Sequence, residues 1–298
     1  MFKRTCLLLL FLLAAGNLLE AAEVTDHAGR RINAPENPKR VVSLAPSITE
    51  MVYAVGRGNL LVGATEFSNY PVQAGDIPSV GSYVNLDIEK IVSLNPDLCI
   101  AVKDGNPIRV VRRLEGLGIP VYAVDPMDLD SVMDSIEDIG WLLGAGKQAG
   151  KVIDDMEKRL SAVQKKLSGI SGRPGVFFQI GVNPVISAGY DTFIHELIKK
   201  AGGKNLAGEH KGYPRFSTEE VLALDPEIII VTSMNRQKAF ERVVKEWKQW
   251  KNLSAAVNDR IYLVNSDLVD RPSPRLIKGL EELARLIHPD RFSEADRD

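Results

Sequence analysis

Three tyrosines are candidates for ligand contact because each lies in a loop rich in glycine or proline, shortly before a predicted helix. Tyr70 and Tyr213 each precede a proline, and Tyr83 lies close after a glycine. A tyrosine ring in such a loop offers a flat apolar face with one polar tip. Packing is an equal alternative for each ring taken alone, but three rings at loop tips favour contact with a ligand.

A second candidate site lies between the last predicted strand and the last predicted helix, in residues 266–275. It contains an acid and a base, Asp267 and Arg271, which are placed to reach the mouth of a cleft. The alternative for this segment is a helix-entry loop held by local ion pairs.

The residue patterns of common enzymes and metal sites are missing. The sequence has four histidines, none paired at the spacing of a metal site, and no GxSxG, HExxH or CxxC motif. Residues 144–149 have the letters of a dinucleotide fingerprint, but a predicted helix precedes them, whereas that fingerprint follows a strand. We therefore expect a turn between two helices at this point.

The composition is that of a globular protein. The chain has 298 residues, of which 45% are hydrophobic and 26% are charged, so it can bury a sizeable core. Its 37 basic and 39 acidic residues nearly balance, which excludes a global basic field for nucleic acid. Two cysteines cannot form a disulfide scaffold.

Residues 1–22 have the pattern of a secretory signal peptide. Basic residues at positions 3 and 4 precede the apolar run Leu7–Ala15, which is too short to span a bilayer, and small residues follow. Cys6 precedes the apolar run and so cannot be the cysteine of a lipoprotein cleavage site. We expect an exported protein without a lipid anchor, in which Cys99 is a buried thiol within an apolar strand.

Helical and strand patterns alternate along the rest of the chain, which predicts open, mostly parallel sheets covered by helices. After an N-terminal extension (23–39), the pattern predicts one α/β lobe at 40–144 and a second at 170–290, with a tail at 291–298. A long amphipathic helix, Lys147–Leu167, is predicted between the lobes, within residues 145–169.

A weak internal repeat supports two similar lobes. Ile88–Ile100 and Thr218–Ile230 both read as a helix, then an Asn or Asp followed by proline and an acid, then a buried strand. A tyrosine precedes each of these helices, and a glutamate lies six residues after each tyrosine: Glu89 after Tyr83, and Glu219 after Tyr213. A cleft between two lobes is the expected ligand site.

Five segments together resemble a known family: Arg40–Glu50, Ser68–Ala74, Leu86–Ala101, Gln179–Pro184 and Ser273–Arg275. The resemblance is to the periplasmic vitamin B12-binding proteins of bacterial ABC importers, within a wider family that also holds ferric-siderophore and haem receptors. It implies an α/β fold of two Rossmann-like lobes, with mostly parallel sheets, joined by one long helix. It also implies modest closure, because a helix resists bending.

The resemblance assigns ligand contact to seven residues: Tyr70, Tyr83, Val102, Ile180, Tyr213, Asp267 and Arg271. Val102 and Ile180 are aliphatic where the vitamin B12-binding proteins have aromatic side chains. The resemblance also matches Glu89 and Glu219 to two glutamates that dock onto arginines of the membrane permease.

These inferences together predict a periplasmic receptor that binds a corrinoid, cobalamin in the first instance, and delivers it to an ABC importer. It is expected to be a monomer that has no catalytic activity, cofactor or metal. The alternative ligand is a ferric siderophore or haem, and the absence of a basic cleft favours the corrinoid. A secreted α/β enzyme is a more distant alternative, which would be distinguished by turnover.

Overall fold

The computed structural model describes residues 21–233 and 237–293. Residues 1–20 of the predicted signal peptide and residues 294–298 of the predicted tail lie outside these ranges. The strands are β1 (Ala21–Thr25), β2 (Arg31–Pro35), β3 (Val41–Ser43), β4 (Leu61–Gly63), β5 (Leu98–Val102), β6 (Val121–Val124), β7 (Gly175–Gly181), β8 (Val185–Ser187), β9 (Lys204–Asn205), β10 (Arg215–Phe216), β11 (Ile228–Ser233) and β12 (Ile261–Asn265).

The helices are α1 (Pro46–Ala54), α2 (Ile88–Ser93), α3 (Ile108–Gly116), α4 (Leu129–Leu142), α5 (Gly146–Lys166), α6 (Phe193–Lys200), α7 (Thr218–Leu224), α8 (Gln237–Trp247), α9 (Ser254–Val257), α10 (Ser266–Val269) and α11 (Leu276–Ile287). Short 3-10 helices cover Gly58–Leu60, Val72–Asp76 and Pro289–Arg291. Within the described residues, no helix is both long enough and apolar enough to cross a bilayer.

The first sheet is fully parallel, with its strands in the order β4, β3, β5, β6. Leu98, Cys99 and Ile100 of β5 are completely buried. A parallel strand covered on both faces is a continuous apolar run, which is why the sequence located β5 and β6 correctly. Burial raises the pKa of the Cys99 thiol to about 12, with a smaller contribution from Asp97, so the cysteine is structural.

The second sheet is mixed. Its path runs β10, β8, β7, β11, β12, and β9 pairs off this path with Gly175 and Val176 at the start of β7. Strand β7 is parallel to β9 and β11, and β11 is parallel to β12, whereas β8 is antiparallel to both β7 and β10. The prediction of mostly parallel sheets is confirmed, with an antiparallel edge that the sequence did not indicate.

Helix α5 connects the two sheets and agrees with the predicted helix to within one residue at each end. Its 21 residues span about 32 Å. Met156 and Val163 are buried on one face, and Arg159 forms an ion pair with Glu281 of α11. One apolar cluster contains residues of both sheets and of α5, so the helix packs against both lobes.

The turn before α5 is the one expected at residues 144–149. Gly144 has a φ of +62°, a conformation that favours glycine, and it lies between α4 and α5. Because a helix precedes this segment, it does not form the strand–turn–helix unit that binds a dinucleotide.

The internal repeat corresponds to two similar helix–strand units, α2–β5 and α7–β11. The residue before the proline of each unit, Asn95 or Asp225, has a left-handed backbone, with φ of 45° and 41°. Asn and Asp tolerate this conformation, and a following proline disfavours the right-handed helical one. The two helices therefore end within one residue of the same place in their units.

The N-terminal extension is a β1–β2 hairpin that packs against the first lobe. The backbone of His27 donates a hydrogen bond to Ala123 of β6, and its Nε2 lies 2.6 Å from Asp138 of α4. Strand β1 begins at Ala21, two residues before the predicted start of the extension.

Several details differ from the sequence prediction. The sequence predicts a helix over Thr49–Val55 with Ser47 as its cap, whereas α1 begins at Pro46, a favourable first residue, and its N-cap is Ala45. Asp267 lies within α10 and not in an open loop. The short strands β8, β9 and β10 and the helices α8 and α9 were not predicted, because most are too short to carry a periodic pattern.

Candidate functional site

The predicted contact residues gather where the carboxyl ends of the two sheets approach each other, the usual position of a ligand site in open α/β folds. Val102 is the last residue of β5, and Ile180 is the penultimate residue of β7. Both are partly buried and pack with Tyr83 against the apolar cluster that the two lobes share. Contact of these three side chains with a ligand stays a prediction.

A buried asparagine holds Tyr83 in place. Asn106 donates hydrogen bonds of 2.8 Å to the carbonyls of Leu44 and Tyr83, and its Oδ1 accepts one of 2.8 Å from the Val102 backbone. A satisfied buried amide of this kind fixes the local backbone. Asn106 was not predicted, although an asparagine between a glycine and a proline after a strand is a turn signal.

Tyr213 of the second lobe lies near Tyr83 of the first. Burial raises the pKa of the Tyr213 phenol, with smaller contributions from Asp270 and Tyr83, so the phenol is neutral near pH 7. The side chain nevertheless remains 53% exposed. Tyr213 therefore presents an accessible aromatic surface at the rim of the cleft.

The centre of the polar network is Glu50, a buried residue of α1. Its carboxylate accepts two hydrogen bonds from Arg275, at 2.8 and 2.6 Å, and one from Ser273, at 2.6 Å. Arg271 adds a contact of 3.2 Å. Bidentate arginine–carboxylate pairs are among the strongest polar contacts, and this one joins the first lobe to the second.

The predicted pair Asp267 and Arg271 is in contact, at 2.8 Å. Arg271 also donates a 2.8 Å hydrogen bond to Asn69 in the loop that follows β4. Arg271 therefore links an acid of its own lobe to two residues of the other lobe. The local ion pair, one of the two alternatives that the sequence offers, is present, and contact of Asp267 and Arg271 with a ligand stays a prediction.

Tyr70 lies on the same network. The guanidinium carbon of Arg275 is 3.9 Å from the centre of the Tyr70 ring, a cation–π contact. The Tyr70 loop is anchored by Ser68, whose hydroxyl contacts those of Thr49 at 2.9 Å and Thr65 at 3.0 Å. Because Tyr70 is still 43% exposed, it can offer part of its ring to a ligand.

Asp270 is an acid beside this network with an unmet hydrogen-bonding atom. Among the described residues, neither its buried Oδ1 nor the Thr232 hydroxyl has a hydrogen-bond partner. Burial raises the pKa of Asp270 to about 7, against the opposing effects of Thr232 nearby and of the Arg271 charge. Asp270 is therefore partly protonated at neutral pH.

Asp270→Asn is expected to change how stability depends on pH. A carboxyl whose pKa is raised in the folded state stabilises the fold at low pH and loses that contribution as pH rises toward 7. Asparagine does not ionise, so the variant should gain about 1–3 kcal/mol relative to the parent between pH 5 and pH 8. Urea unfolding at both pH values measures this. The exposed Asp134→Asn is the control and should follow the parent at both pH values. An Asp270→Asn variant that also follows the parent would contradict the assignment.

The two predicted docking residues occupy equivalent positions. Glu89 lies in the first turn of α2 and Glu219 in the first turn of α7, and both are exposed. Other residues cap these helices: Asp87 caps α2, and Ser217 caps α7. Neither Glu89 nor Glu219 has a side-chain partner among the described residues, so both carboxylates are available at the surface.

Within the ranges that the structure describes, no three His, Cys, Asp or Glu side chains are grouped to bind a metal ion.

The sequence did not identify six of the residues that build the site: Glu50, Asn69, Asn106, Asp270, Ser273 and Arg275.

The sequence profile of the periplasmic binding protein family matches residues 41–268. A Bacillus subtilis protein named as an uncharacterized ABC transporter substrate-binding lipoprotein is 34% identical over 277 residues, covering 91% of this chain and 87% of its own. Both matches extend over the two lobes and the helix between them.

Two solved structures are similar to this fold. The vitamin B12-binding protein of Vibrio cholerae is 30% identical, with a TM-score of 0.77, and the match covers 86% of this chain and 99% of that chain. A periplasmic haem-binding protein of Pseudomonas aeruginosa is also 30% identical, with a TM-score of 0.74 and coverage of 85% and 93%. The predicted fold of two lobes joined by a long helix is confirmed.

Proposed function

The chain belongs to the periplasmic binding protein family, and from that premise we propose that it captures a corrinoid, cobalamin, and delivers it to an ABC importer. The observation that carries the proposal is the similarity to the Vibrio cholerae vitamin B12-binding protein along 99% of that chain. The role is binding and release, without catalysis and without a resident cofactor.

The chemistry of the cleft supports this ligand. A corrin ring has apolar faces and a rim of amides. The exposed parts of Tyr70 and Tyr213 offer apolar area with polar tips, and Asp267 and Arg271 offer polar groups that orient a ligand. Val102 and Ile180 extend the apolar wall.

Haem is the second candidate ligand, because the Pseudomonas aeruginosa haem-binding protein is as similar in sequence as the vitamin B12-binding protein. A ferric siderophore is the third. Haem and many siderophores are anionic, whereas both arginines of the cleft are already paired with acids. The charge balance therefore favours cobalamin.

The melting temperature of the purified protein tests the ligand assignment. A ligand that binds only the folded state raises stability by about 2.7 kcal/mol at a concentration one hundred times its Kd. We expect cyanocobalamin to raise the melting temperature progressively. No shift with cyanocobalamin, together with a shift with haem or a ferric siderophore, would reassign the ligand.

Tyr83→Ala and Tyr213→Ala are each expected to weaken cobalamin binding by about 1–3 kcal/mol, the range for loss of an aromatic anchor. Folding should survive, because both residues lie in loops. Titration calorimetry measures the affinity, and Trp141→Ala is the control, since that ring is 58% exposed on α4. Unchanged binding by both tyrosine variants would place the ligand elsewhere.

Export and the state of the N-terminus are part of the proposal. The signal peptide at 1–22 would be removed, leaving a monomeric periplasmic protein. This protein would have no lipid anchor, because Cys6 precedes the apolar run and so cannot be the cysteine of a lipoprotein cleavage site. The Bacillus subtilis relative is named a lipoprotein, so this point needs its own test. The mass of the mature protein should correspond to an unmodified chain beginning at Glu23, and a lipid-modified N-terminus would contradict it.

Delivery requires a surface that the permease recognises. We assign this role to Glu89 and Glu219, which are exposed, lie at equivalent places in the two helix–strand units and are not needed for helix capping. A permease built as a symmetric dimer could offer one arginine patch to each carboxylate.

A further inference from the structure

We propose that Glu50 determines the charge of the ligand that the cleft accepts, by cancelling the charge of the arginine pair and so favouring a neutral ligand over an anionic one of the same shape. This inference rests on the proposed function, since it concerns the same cleft. Glu50 would act through Arg271 and Arg275 and not by touching the ligand.

Arg271 and Arg275 together have the chemistry of an anion-binding site. Arg271 and Arg275 are close in sequence and contact the same carboxylate, and the side chain of each is 13% exposed. Two clustered guanidinium groups are the usual protein device for holding carboxylates and phosphates. Without an internal acid, this wall of the cleft would attract anions.

The guanidinium groups of Arg271 and Arg275 already donate hydrogen bonds within the protein. Arg275 directs both of its forked donors to Glu50, and Arg271 divides its donors among Glu50, Asn69 and Asp267. The two arginine charges therefore meet two carboxylate charges. Asp270 contributes only part of a negative charge near pH 7, because burial raises its pKa to about 7.

Glu50 has a larger effect on the charge of the arginine pair than Asp267 has. Its side chain is 2% exposed, whereas that of Asp267 is 27% exposed and shielded by solvent. Arg275, the main partner of Glu50, lies directly against the ring of Tyr70, a predicted contact residue. Charge interactions in such a partly dry site act more strongly than at the surface.

The experiment compares two ligands that share a shape and differ in charge. Cyanocobalamin has only neutral amides on its rim, and its monocarboxylic acids carry one amide hydrolysed to a carboxylate. We expect the parent protein to bind the neutral form at least tenfold more tightly than the acid that it discriminates against most. Glu50→Gln should reduce this ratio at least tenfold, and added salt should weaken that change.

Glu50→Asp separates charge from packing. It keeps the negative charge but shortens the side chain, so it should retain the parent's preference even if its overall affinity falls. If Glu50→Gln folds and keeps the parent's ratio, or if Glu50→Asp shifts the ratio equally, the proposal is wrong.

Two further experiments apply if Glu50→Gln does not fold or if the parent binds no corrinoid. If Glu50→Gln does not fold, Asp267→Asn removes a charge from the same network and should shift the ratio in the same direction by a smaller factor, and no shift would overturn the inference. If the parent binds no corrinoid, the proposed function fails. The same variants are then compared with haem and its neutral dimethyl ester, where a constant ratio would overturn the role of Glu50.

Discussion

A Glu89→Arg, Glu219→Arg double variant is expected to bind cobalamin and melt like the parent, yet fail to support uptake by the importer. Both carboxylates are exposed and have no side-chain partner among the described residues, so the fold should not depend on them. Reversing their charge places arginine against the arginines expected on the permease. Exposed charges at an interface govern encounter and register more than folding.

Uptake into vesicles containing the permease and its ATPase measures this effect, beside calorimetry of the isolated protein. Glu137→Arg with Glu241→Arg is the matched control, because it makes the same charge change at exposed positions of α4 and α8. Normal uptake by the Glu89 and Glu219 variant would reduce both residues to favourable helix-end charges. Equal loss in the control would indicate a general charge effect.

Glu50→Ala is expected to destabilise the protein by about 3–5 kcal/mol, the range for removing one partner of a buried ion pair. The substitution leaves Arg275 without its bidentate partner and removes a contact between the lobes. Glu281→Ala is the control, since the Arg159–Glu281 pair has similar chemistry but is more exposed and should cost about 1 kcal/mol or less.

Urea unfolding measures both variants. A loss of similar size for Glu50→Ala and Glu281→Ala would mean that burial does not give the Glu50 network its special weight. A larger loss for Glu50→Ala, accompanied by weaker cobalamin binding, would link the stability of the lobe interface to the shape of the cleft.

The sequence predicted those features of the fold that depend on local pattern. The apolar runs of β5 and β6 lie in fully covered strands, and the spacing of buried residues in α5 is that of an amphipathic helix. The short antiparallel strands β8 and β10 were not predicted, because two or three residues are too few to carry a periodic signal.

The Glu50 network could not be predicted from local pattern because its members are far apart in the chain. Glu50 lies 221 residues before Arg271 and 225 before Arg275. An acid on the buried side of α1 conflicts with that position's apolar surroundings, and only the fold shows which arginines compensate. Asp267 and Arg271, four residues apart on and beside one helix, were within reach of sequence reasoning.

The most direct test of the central claim is titration calorimetry of the mature protein with cyanocobalamin, in competition with haem and a ferric siderophore. The proposed function requires saturable binding of one cobalamin per chain, with an affinity between nanomolar and micromolar. The other two ligands should neither saturate the protein nor displace cobalamin. Absence of heat with cyanocobalamin, together with stoichiometric binding of haem or the siderophore, would contradict it.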